Sequence, residues 1–451
     1  MARDRPNIVF LFSDQQRVDT VSCYGMPPGA AFGLTPRIDR LAEEGVRFDL
    51  AMTCQPVCGP ARACLQTGLY PDGIGCPVND RALPPGIPTI ADRLHGAGYE
   101  TAYVGKWHLA SNRSFASPPL PDSADYKTKP VPPERRGGWR DYWMAADVLE
   151  FTSHGCGGYV YDGDGNRVDF DGYRADFLAD CAIDYIRKPK PEGKPFCLFV
   201  SWIEPHYQND REHCEAPVGR REKFEDYEIP GDLAGTGGDW RGEMPDYLAC
   251  CESLDENAGR IVDALKEAGI YEDTLVVYTS DHGCHFRTRN SEYKRSPHDA
   301  SLHVPLVIRG PGFTDGKKIR QLTSLADLPP TLLAAAGIPV PAAFPGVPLQ
   351  RLASDPETPI REEVYVQISE AGEGRAIRTL TRTYCAMFEG EGEGRLLREA
   401  YVYDDVADPY QRDNLAGRGE YASLREELRK RLEAVILREE GKSIRVLAAR
   451  G

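Results

Sequence analysis

The sequence predicts an α/β fold, in which a large mixed and mostly parallel sheet is flanked by helices and followed by a smaller C-terminal region. Three observations support this prediction. Short, near-continuous apolar runs suit strands that are buried on both faces of a sheet. Helical patterns alternate with these runs, which is typical of a doubly wound sandwich. Several runs end in ionisable residues, and ligands of such folds bind beyond the carboxyl ends of the strands.

The elements of the large sheet follow in chain order. Its predicted strands are Asn7–Ser13, 101–105, 196–203, Thr274–Ser280 and 304–309. One helix is expected over Pro36–Glu44 and another over 247–268, each followed by a glycine that can end it. The stretch 111–171 is rich in Pro, Gly and Asp, and it is interpreted as loops that cover the site.

A change of pattern after the Pro-rich segment 338–348 divides the chain. Residues 1–350 are predicted to form a catalytic α/β domain and residues 351–451 a C-terminal subdomain. The subdomain is expected to contain a small antiparallel sheet, with strands at 364–368, 375–380, 383–387 and 400–403. A final helix should begin at a capping box of Ser423 and Glu426 and should end at Gly441.

Composition excludes several classes of protein. The chain has 451 residues, 41% of them apolar, and a net charge of −15, so a generic basic surface for nucleic acid or an anionic membrane is excluded. No apolar run is long enough to span a bilayer. The apolar run 8–12 is too short for a signal peptide, so we expect a cytoplasmic protein, or an exported one whose signal peptide is absent from this sequence. The 13 scattered cysteines indicate reduced thiols rather than a disulfide framework.

Two pairs of polar residues follow predicted strands. Asp14-Gln15 and Asp281-His282 could bind a hard divalent cation, because carboxylate and amide oxygens are ligands that such cations prefer. Each aspartate alone could instead be a helix cap or a turn residue. Two such pairs at the ends of strands favour the metal-site interpretation.

Three further segments carry reactive side chains. They are 58–62 (CGPAR), 105–109 (GKWHL) and 204–206 (EPH), with Lys294 beyond the second aspartate. Alone, a cysteine in 58–62 would be a buried structural thiol, and a histidine after a strand would be a structural histidine. A histidine can protonate a leaving alcohol, and a lysine can neutralise an anionic group that reacts.

Together these segments resemble the sulfatase family, and further matches extend the resemblance over nearly the whole chain. The resemblance implies an alkaline-phosphatase-like fold and the oxidation of Cys58 to formylglycine by a formylglycine-generating enzyme. The sequence departs from the family pattern at Ala61, where serine is usual, and at Gln15, where a second aspartate is more common. Calcium is therefore the first expectation for the cation, with magnesium and manganese as alternatives.

The resemblance also implies roles for individual residues. A hydrated aldehyde at residue 58 offers one hydroxyl to attack sulfur and another to expel sulfate as the carbonyl re-forms. Asp281 would take the proton of the attacking hydroxyl, and His206 would protonate the leaving alcohol. The implied catalytic residues are Cys58, Arg62, Lys106, His108, His206 and Lys294, and the implied metal ligands are Asp14, Gln15, Cys58, Asp281 and His282.

The substrate is the least determined part of the prediction. Arg289, Arg295 and His298 lie together after the second metal pair, with Arg287, and are expected to bind a sulfated sugar; an aryl sulfate is the alternative. The rival function is hydrolysis of phosphonate monoesters or phosphodiesters, although enzymes of that kind typically lack the Lys-x-His pair formed by Lys106 and His108. A remote alternative is an inactive binding protein on the same fold. The sequence gives no signal for the oligomeric state.

Overall fold

A computed structural model describes residues 5–112, 124–190, 193–390, 392 and 395–450. The strands are β1 (Asn7–Ser13), β2 (Val46–Met52), β3 (Glu100–Lys106), β4 (Tyr142–Ala146), β5 (Cys156–Asp162), β6 (Arg167–Tyr173), β7 (Phe196–Ser201), β8 (Thr274–Ser280), β9 (His303–Val304), β10 (Leu306–Arg309), β11 (Lys317–Ser324), β12 (Glu363–Ile368), β13 (Gly374–Thr379), β14 (Arg382–Glu389), β15 (Leu396–Asp404) and β16 (Val446–Leu447). The α-helices are α1 (Gly29–Phe32), α2 (Pro36–Glu44), α3 (Cys58–Thr67), α4 (Ile90–Gly96), α5 (Arg174–Arg187), α6 (Trp240–Glu267), α7 (Asp299–Leu302), α8 (Leu328–Ala335), α9 (Gln350–Ser354) and α10 (Ala422–Glu440).

The large sheet is mixed and has the strand order β11-β2-β10-β8-β1-β7-β3-β4-β5-β6, with β9 paired to β2. Its centre is parallel, because β8, β1, β7 and β3 run in one direction and pair in that order. Strand β10 is antiparallel to β8 and to β2, so the sheet is mixed, as predicted. The chain returns to the sheet from β8 without a long helical crossover, which an antiparallel neighbour permits.

Both faces of the sheet are covered. Alternate side chains of β1 enter two separate cores: Ile8, Phe10 and Phe12 pack on one face, and Val9 and Leu11 on the other. Helices α3, α4 and α8 contribute to the first core, and helices α2, α5 and α6 to the second. This three-layer sandwich confirms the predicted fold class, and it explains why the central strands read as continuous apolar runs.

The region predicted as loops contains three strands, so that prediction is wrong in part. Strands β4 to β6 extend the sheet, and β5 and β6 form an antiparallel hairpin around the turn 162–166. Strand β6 is exposed at four of its seven positions. A half-exposed edge hairpin has little apolar periodicity, which is why its sequence reads as loop. The part of this stretch between residues 113 and 123 lies outside the described residues.

A second sheet follows the first along the chain. Strands β12 to β15 are antiparallel, as predicted, and β16 adds a short parallel pairing to β15. Helix α10 packs on one face through Leu428, Leu432, Val435 and Ile436, and it ends at Gly441 in the left-handed conformation. The predicted capping box does not form, because the helix begins at Ala422 and no side chain caps its first turn.

The other face of the second sheet packs against the main sheet. Val364, Val366 and Ile368 share a core with Met52 and Leu322. At the edge of β12, the backbone amide of Gln367 donates to the backbone carbonyl of Cys54 at 2.9 Å. The second sheet therefore contacts the loop that leads into α3. The predicted division at residue 350 stays a prediction. None of the helices in the described part of the chain has the length and apolarity needed to cross a membrane.

Candidate active site

The predicted reactive residues meet at the carboxyl ends of four adjacent strands. Asp14 follows β1, Lys106 ends β3, His206 comes after β7, and Asp281 follows β8. Cys58 is the first residue of α3, the helix that faces these strand ends. Four strand-to-loop transitions of the parallel part of the sheet and one helix terminus thus converge on one point, as expected for a doubly wound fold.

Cys58 lies at the bottom of this site and is only 1% exposed. Its Sγ is 3.3 Å from Asp14 Oδ1, 3.3 Å from His282 Nε2 and 2.8 Å from Lys294 Nζ. Burial, followed by the charge of Asp14, raises the pKa of the Cys58 thiol to about 11. The unmodified side chain is therefore a neutral thiol near pH 7, and a neutral thiol is a poor nucleophile.

A set of metal-ligating atoms surrounds Cys58 Sγ. One atom each from Asp14, Cys58, Asp281 and His282 lies within 4.8 Å of the others. Asp281 Oδ2 is buried and accepts no hydrogen bond from the described residues. His282 Nδ1 donates to the Gly283 carbonyl at 2.9 Å, so Nε2 keeps a free lone pair that points into the set. This donor chemistry, carboxylate oxygens with one imidazole nitrogen, fits a divalent cation.

Gln15 adjoins the same set. Its backbone amide donates to Asp281 Oδ1 at 3.0 Å, and its φ is 68°. Its side-chain Nε2 lies 3.7 Å from Cys284 Sγ. A left-handed conformation at a non-glycine residue is strained, and such strain is concentrated at functional sites. The structure thus brings four of the five predicted metal ligands together, and Gln15, the fifth, contacts this set through its backbone amide.

The two aspartates differ in electrostatic environment. Burial alone would raise the pKa of Asp14, but the facing charges of Lys106 and Arg62 hold it well below its usual value. The pKa of Asp281 is instead raised to about 7, by burial and by the charge of Asp14. Two carboxylates this close repel each other, and a bound cation would remove that repulsion.

Two buried basic side chains, those of Arg62 and Lys106, bind the carboxylate of Asp14. Arg62 lies one helical turn after Cys58, and its Nη2 is 2.9 Å from Asp14 Oδ2 while Nη1 donates to Ser201 Oγ at 2.7 Å. Lys106 Nζ donates to the same Asp14 oxygen at 2.6 Å. Strand β3 can approach Ser201 of the neighbouring strand β7 closely because the residue before Lys106 is Gly105, which has a φ of 101°. A Cβ at this position would overlap the carbonyl oxygen of Ser201.

Two histidines flank the Cys58 side chain. Lys294 Nζ donates to His206 Nε2 at 2.9 Å, so these two groups can share a proton. His108 has a φ of 60°, and its buried Nδ1 has no hydrogen-bond partner among the described residues. Burial lowers the pKa of both imidazoles well below 6.5, so both are neutral in the unliganded site.

A cavity of about 480 Å³ opens above Cys58. It contains the predicted residues Gln15, Cys58, Lys106, His108, His206, Lys294 and Arg295. Two predicted substrate-binding residues lie elsewhere. Arg289 donates to the carbonyls of Tyr410 and Gln411, at 2.7 Å each. His298 is 3% exposed and lies between Ser296 Oγ and Tyr403 Oη. Arg289, Arg295 and His298 are close in sequence, but among these three only Arg295 lines the cavity.

The cavity also contains polar residues that the sequence did not predict as site residues. They are Asn79, Asp80, Lys127, Glu150, Asn209, Glu292 and Glu370. Lys127 and Glu150 belong to the stretch interpreted as loops over the site, so that interpretation located them without giving them a role. Asp80 and Glu370 have φ values of 55° and 69°. Both side chains line the cavity from residues with a left-handed backbone, and no sequence pattern signalled that conformation.

Comparisons with known proteins agree with this arrangement. A model of the sulfatase family matches residues 6–338, and a model described as N-sulphoglucosamine sulphohydrolase, C-terminal, matches residues 292–438. An ulvan-active sulfatase from Formosa agariphila is 32% identical over 444 residues, which covers 94% of this chain and 80% of that protein. An N-acetylglucosamine-6-O-sulfatase from Bacteroides thetaiotaomicron is 26% identical over 512 residues, which covers 95% of this chain and 86% of that protein.

Solved structures share the fold along the whole chain. The yidJ protein from Bacteroides fragilis, a proposed sulfatase, superposes with a TM-score of 0.83 at 25% identity, over 97% of this chain and 96% of that chain. A phosphonate monoester hydrolase from Silicibacter pomeroyi superposes with a TM-score of 0.69 at 20% identity, over 96% of each chain. The second likeness concerns the fold alone.

Proposed function

The chain belongs to the sulfatase family and is a sulfuric ester hydrolase, and from this we propose that it cleaves carbohydrate sulfates with a formylglycine formed from Cys58 and one divalent cation. The observation that carries the proposal is the position of Cys58 Sγ, which lies against a metal-ligating set on one side and against Lys294 on the other. The N-acetylglucosamine-6-O-sulfatase relative supports the carbohydrate part.

The cation would be held by Asp14, Asp281 and His282, with Gln15 and residue 58 completing the set. Its chemistry would be that of a Lewis acid, which acidifies the attacking hydroxyl and polarises the sulfate oxygens. Asp281 Oδ2 accepts no hydrogen bond from the described residues and lies 3.5 Å from Arg62 Nη2, and His282 Nε2 faces Cys58 Sγ at 3.3 Å; both positions support this assignment. Mostly oxygen ligands favour calcium, with magnesium and manganese as alternatives.

The conversion of Cys58 is proposed because the unmodified thiol cannot perform both steps of the reaction. A thiolate could attack sulfur, but it has no second hydroxyl with which to expel sulfate afterwards. The pKa of about 11 makes even the first step unfavourable near neutral pH. The partner that this requires is a formylglycine-generating enzyme that acts during maturation.

The remaining residues bind the sulfate and move protons. Lys294 donates to Cys58 Sγ, and Lys106 donates to Asp14, which itself contacts Cys58, so both ammonium groups support binding of the sulfate that would accumulate negative charge at residue 58. Lys294 and His206 share a hydrogen bond, so together they can deliver a proton to the leaving alcohol. His108 lines the cavity near Cys58, and its position supports a role in releasing sulfate from residue 58.

The rival reaction is hydrolysis of phosphonate monoesters or phosphodiesters. The likeness to a phosphonate monoester hydrolase extends to the fold, at a lower TM-score than the first structure compared. Sulfate esters are preferred here because the Lys106 and His108 pair is present in the cavity and because the sequence relatives compared above are sulfatases.

The test is a substrate panel given to protein co-expressed with a formylglycine-generating enzyme. Aryl sulfate, sulfated monosaccharides, phosphonate monoester and phosphodiester would be compared by kcat/KM. We expect sulfated sugars to give the highest values and the Cys58→Ala variant to be inactive on all of them. Higher kcat/KM on the phosphorus esters would establish the rival reaction instead.

The metal part has its own test. Asp281→Ala should lose both bound cation, measured by elemental analysis, and activity, because it removes the free carboxylate oxygen of the set. Chelation of the wild type should abolish activity, and calcium, magnesium and manganese would be added back separately. An Asp281→Ala protein that retains its cation would place the metal site elsewhere.

A further inference from the structure

The cavity has a cationic floor and a largely acidic wall. The floor contains Lys294, whose Nζ lies 2.8 Å from Cys58 Sγ, and Lys106, whose Nζ binds Asp14. The wall above them contains the carboxylates of Asp80, Glu150, Glu292 and Glu370 and two cations, Lys127 and Arg295. Four acids against two bases leave the wall with an excess of negative charge.

Both cations of the wall are already paired. Lys127 Nζ lies 2.8 Å from Asp80 Oδ2, with the two side chains 14% and 7% exposed. Arg295 Nη2 lies 2.6 Å from Glu370 Oε2, with the two side chains 20% and 15% exposed, and Arg295 Nη1 is 3.2 Å from Glu292. A second anion on the substrate would therefore have to displace a carboxylate before it could bind either cation.

The fourth acidic residue, Glu150, is close to the reacting residues. Glu150 Oε2 lies 3.7 Å from His206 Nδ1, and both carboxylate oxygens accept from Asn209 Nδ2, at 3.1 and 3.2 Å. Asp80 Oδ1 lies 4.0 Å from Nε2 of the other histidine, His108. A carboxylate thus lies beside each of the two histidines of the site, including His206, which would protonate the leaving group.

We infer that this wall selects a leaving group that carries hydroxyls and no anionic group of its own, so that the substrate is a sugar with a single sulfate. The inference rests on the proposed carbohydrate sulfatase function. Carboxylates accept hydrogen bonds from sugar hydroxyls, and the paired Lys127 and Arg295 can donate to the same ring. A second sulfate or a uronate carboxyl would face like charges in a partly enclosed cavity, where screening by water is weak.

Glu370 gives the second sheet a part in this selection. It follows β12 and contacts two neighbours: Oε1 accepts from the backbone amide of Asn79 at 2.6 Å, and Oε2 binds Arg295 and accepts from Asn79 Nδ2 at 3.4 Å. Asn79 Oδ1 in turn accepts from the amide of Gly59 at 2.8 Å, next to the nucleophilic position. The wall is therefore fixed to the helix that carries Cys58.

The experiment compares hexose monosulfates with disulfates that differ from them by one added sulfate. For the wild type, kcat/KM on each monosulfate should exceed that on its disulfate at least tenfold. The ratio should shrink as ionic strength rises, because a charge effect is screened and a steric one is not. Equal or higher kcat/KM on the disulfates would overturn the inference.

Variants identify the residues responsible. Asp80→Asn and Glu370→Gln keep the size and a hydrogen-bond acceptor but remove a charge, and each should lower the monosulfate-to-disulfate ratio several-fold. Asp171→Asn, an exposed position on β6, is the matched control and should leave the ratio unchanged. A ratio that neither cavity variant alters would assign the selection to shape and overturn the charge argument.

Aryl sulfate turnover separates this inference from the proposed function. Wild-type protein that cleaves no sulfate ester at all, aryl sulfate included, would contradict the proposed function. Wild-type protein that cleaves aryl sulfate and prefers disulfated sugars would contradict only the inference about the wall. Thermal unfolding of each variant checks that a changed ratio does not come from a damaged fold.

Discussion

At the scale of single residues, Lys106 is the most informative side chain of the site. It is 1% exposed, and its ammonium lies 2.6 Å from Asp14 Oδ2. Burial would lower its pKa, but the charge of Asp14 outweighs this and raises the pKa above its usual value. The group therefore stays charged where the transition state develops negative charge. We expect Lys106→Ala to lower kcat on sulfate esters about 100-fold, which corresponds to about 3 kcal/mol of transition-state stabilisation.

The matched control is Lys318→Ala, since Lys318 is exposed on β11 and far from the site in the sheet order. It should retain wild-type kcat. Kinetics on aryl sulfate and on matched phosphorus esters would be measured for both variants. If Lys106→Ala keeps full sulfatase activity, the lysine does not face the transferred group.

Cys58 is expected to be the only converted cysteine. Cys58 is followed by Pro at the second position and Arg at the fourth, whereas Cys54 has Pro56 but Cys58 in place of the Arg, and Cys64 has neither. Peptide mass spectrometry after co-expression with the modifying enzyme should show a loss of about 18 Da at residue 58, because oxygen replaces sulfur and two hydrogens are lost. Peptides containing Cys54 and Cys64 serve as internal controls. Fully active protein with an intact thiol at residue 58 would contradict the proposal.

Motifs located the reacting residues because their chemistry constrains both residue type and spacing. Cys58, Lys106 and His108 were predicted in this way and do meet at one point. Asp80 and Glu370 were not predicted, since their direction depends on left-handed backbone conformations. Arg289 was predicted to bind substrate because it is close in sequence, yet it bonds to carbonyls of the second region of the chain.

At the scale of elements, the contact between α2 and α6 is set by one buried carboxylate. Asp255 on α6 is 2% exposed and accepts from the amides of Arg37 and Ile38, in the first turn of α2. It therefore caps α2 from another helix. Asp255→Ala should lower the free energy of unfolding by about 1–2 kcal/mol, measured by denaturant titration at pH 6.

The control for this variant lies two turns further along α6. Asp263→Ala removes a carboxylate that is 51% exposed and 3.4 Å from Arg37. An exposed ion pair of this kind contributes less than about 1 kcal/mol. If the two variants are equally destabilised, Asp255 does not act as a cap.

The same carboxylate predicts a pH dependence of stability. Burial raises the pKa of Asp255 from 3.8 to about 7. In the unfolded chain the carboxyl ionises at lower pH than in the folded protein, so its contribution to stability falls as the pH rises from about 4 to about 7. Asp255→Asn removes this contribution, so its melting temperature relative to wild type should rise across that window and level off above it. A difference independent of pH would mean that the folded pKa is not raised.

Apolar strands were predictable and charged ones were not. Strands β1 and β8 consist of buried residues at every position, and both were predicted with their observed bounds. Strands β2 and β11 were not predicted, because β2 contains Arg47 and Asp49 and β11 begins with two lysines. Those polar side chains lie towards the edge of the sheet, where partial exposure permits them. The sequence also did not indicate which strand of the mixed sheet runs antiparallel to its neighbours, as β10 illustrates.

At the scale of the whole molecule, the second sheet completes the site. It covers apolar residues of the main sheet, including Met52 and Leu322, and it contributes Glu370 to the cavity. A chain that ends at residue 350 should therefore be insoluble or inactive, since it exposes that apolar surface to water. Size-exclusion chromatography and aryl sulfate turnover would measure this, with the full chain prepared in parallel as the control. A soluble, active fragment would show that the first 350 residues form an independent catalytic unit.

The position of the second sheet also limits the time during which a modifying enzyme can reach Cys58 as the chain is synthesised. The amide of Gln367 binds the carbonyl of Cys54, and Ser369 Oγ accepts from Gln55 at 2.7 Å, so β12 and the residues after it close over the loop that leads to Cys58. These residues leave the ribosome about 310 residues after Cys58. At roughly 5–20 residues per second, Cys58 remains reachable for roughly 15–60 s before the residues that cover its loop exist. A modifying enzyme that arrives later meets a thiol that is 1% exposed. Unmodified protein should then be rescued by unfolding and refolding in the presence of that enzyme, and not by adding the enzyme to the folded chain.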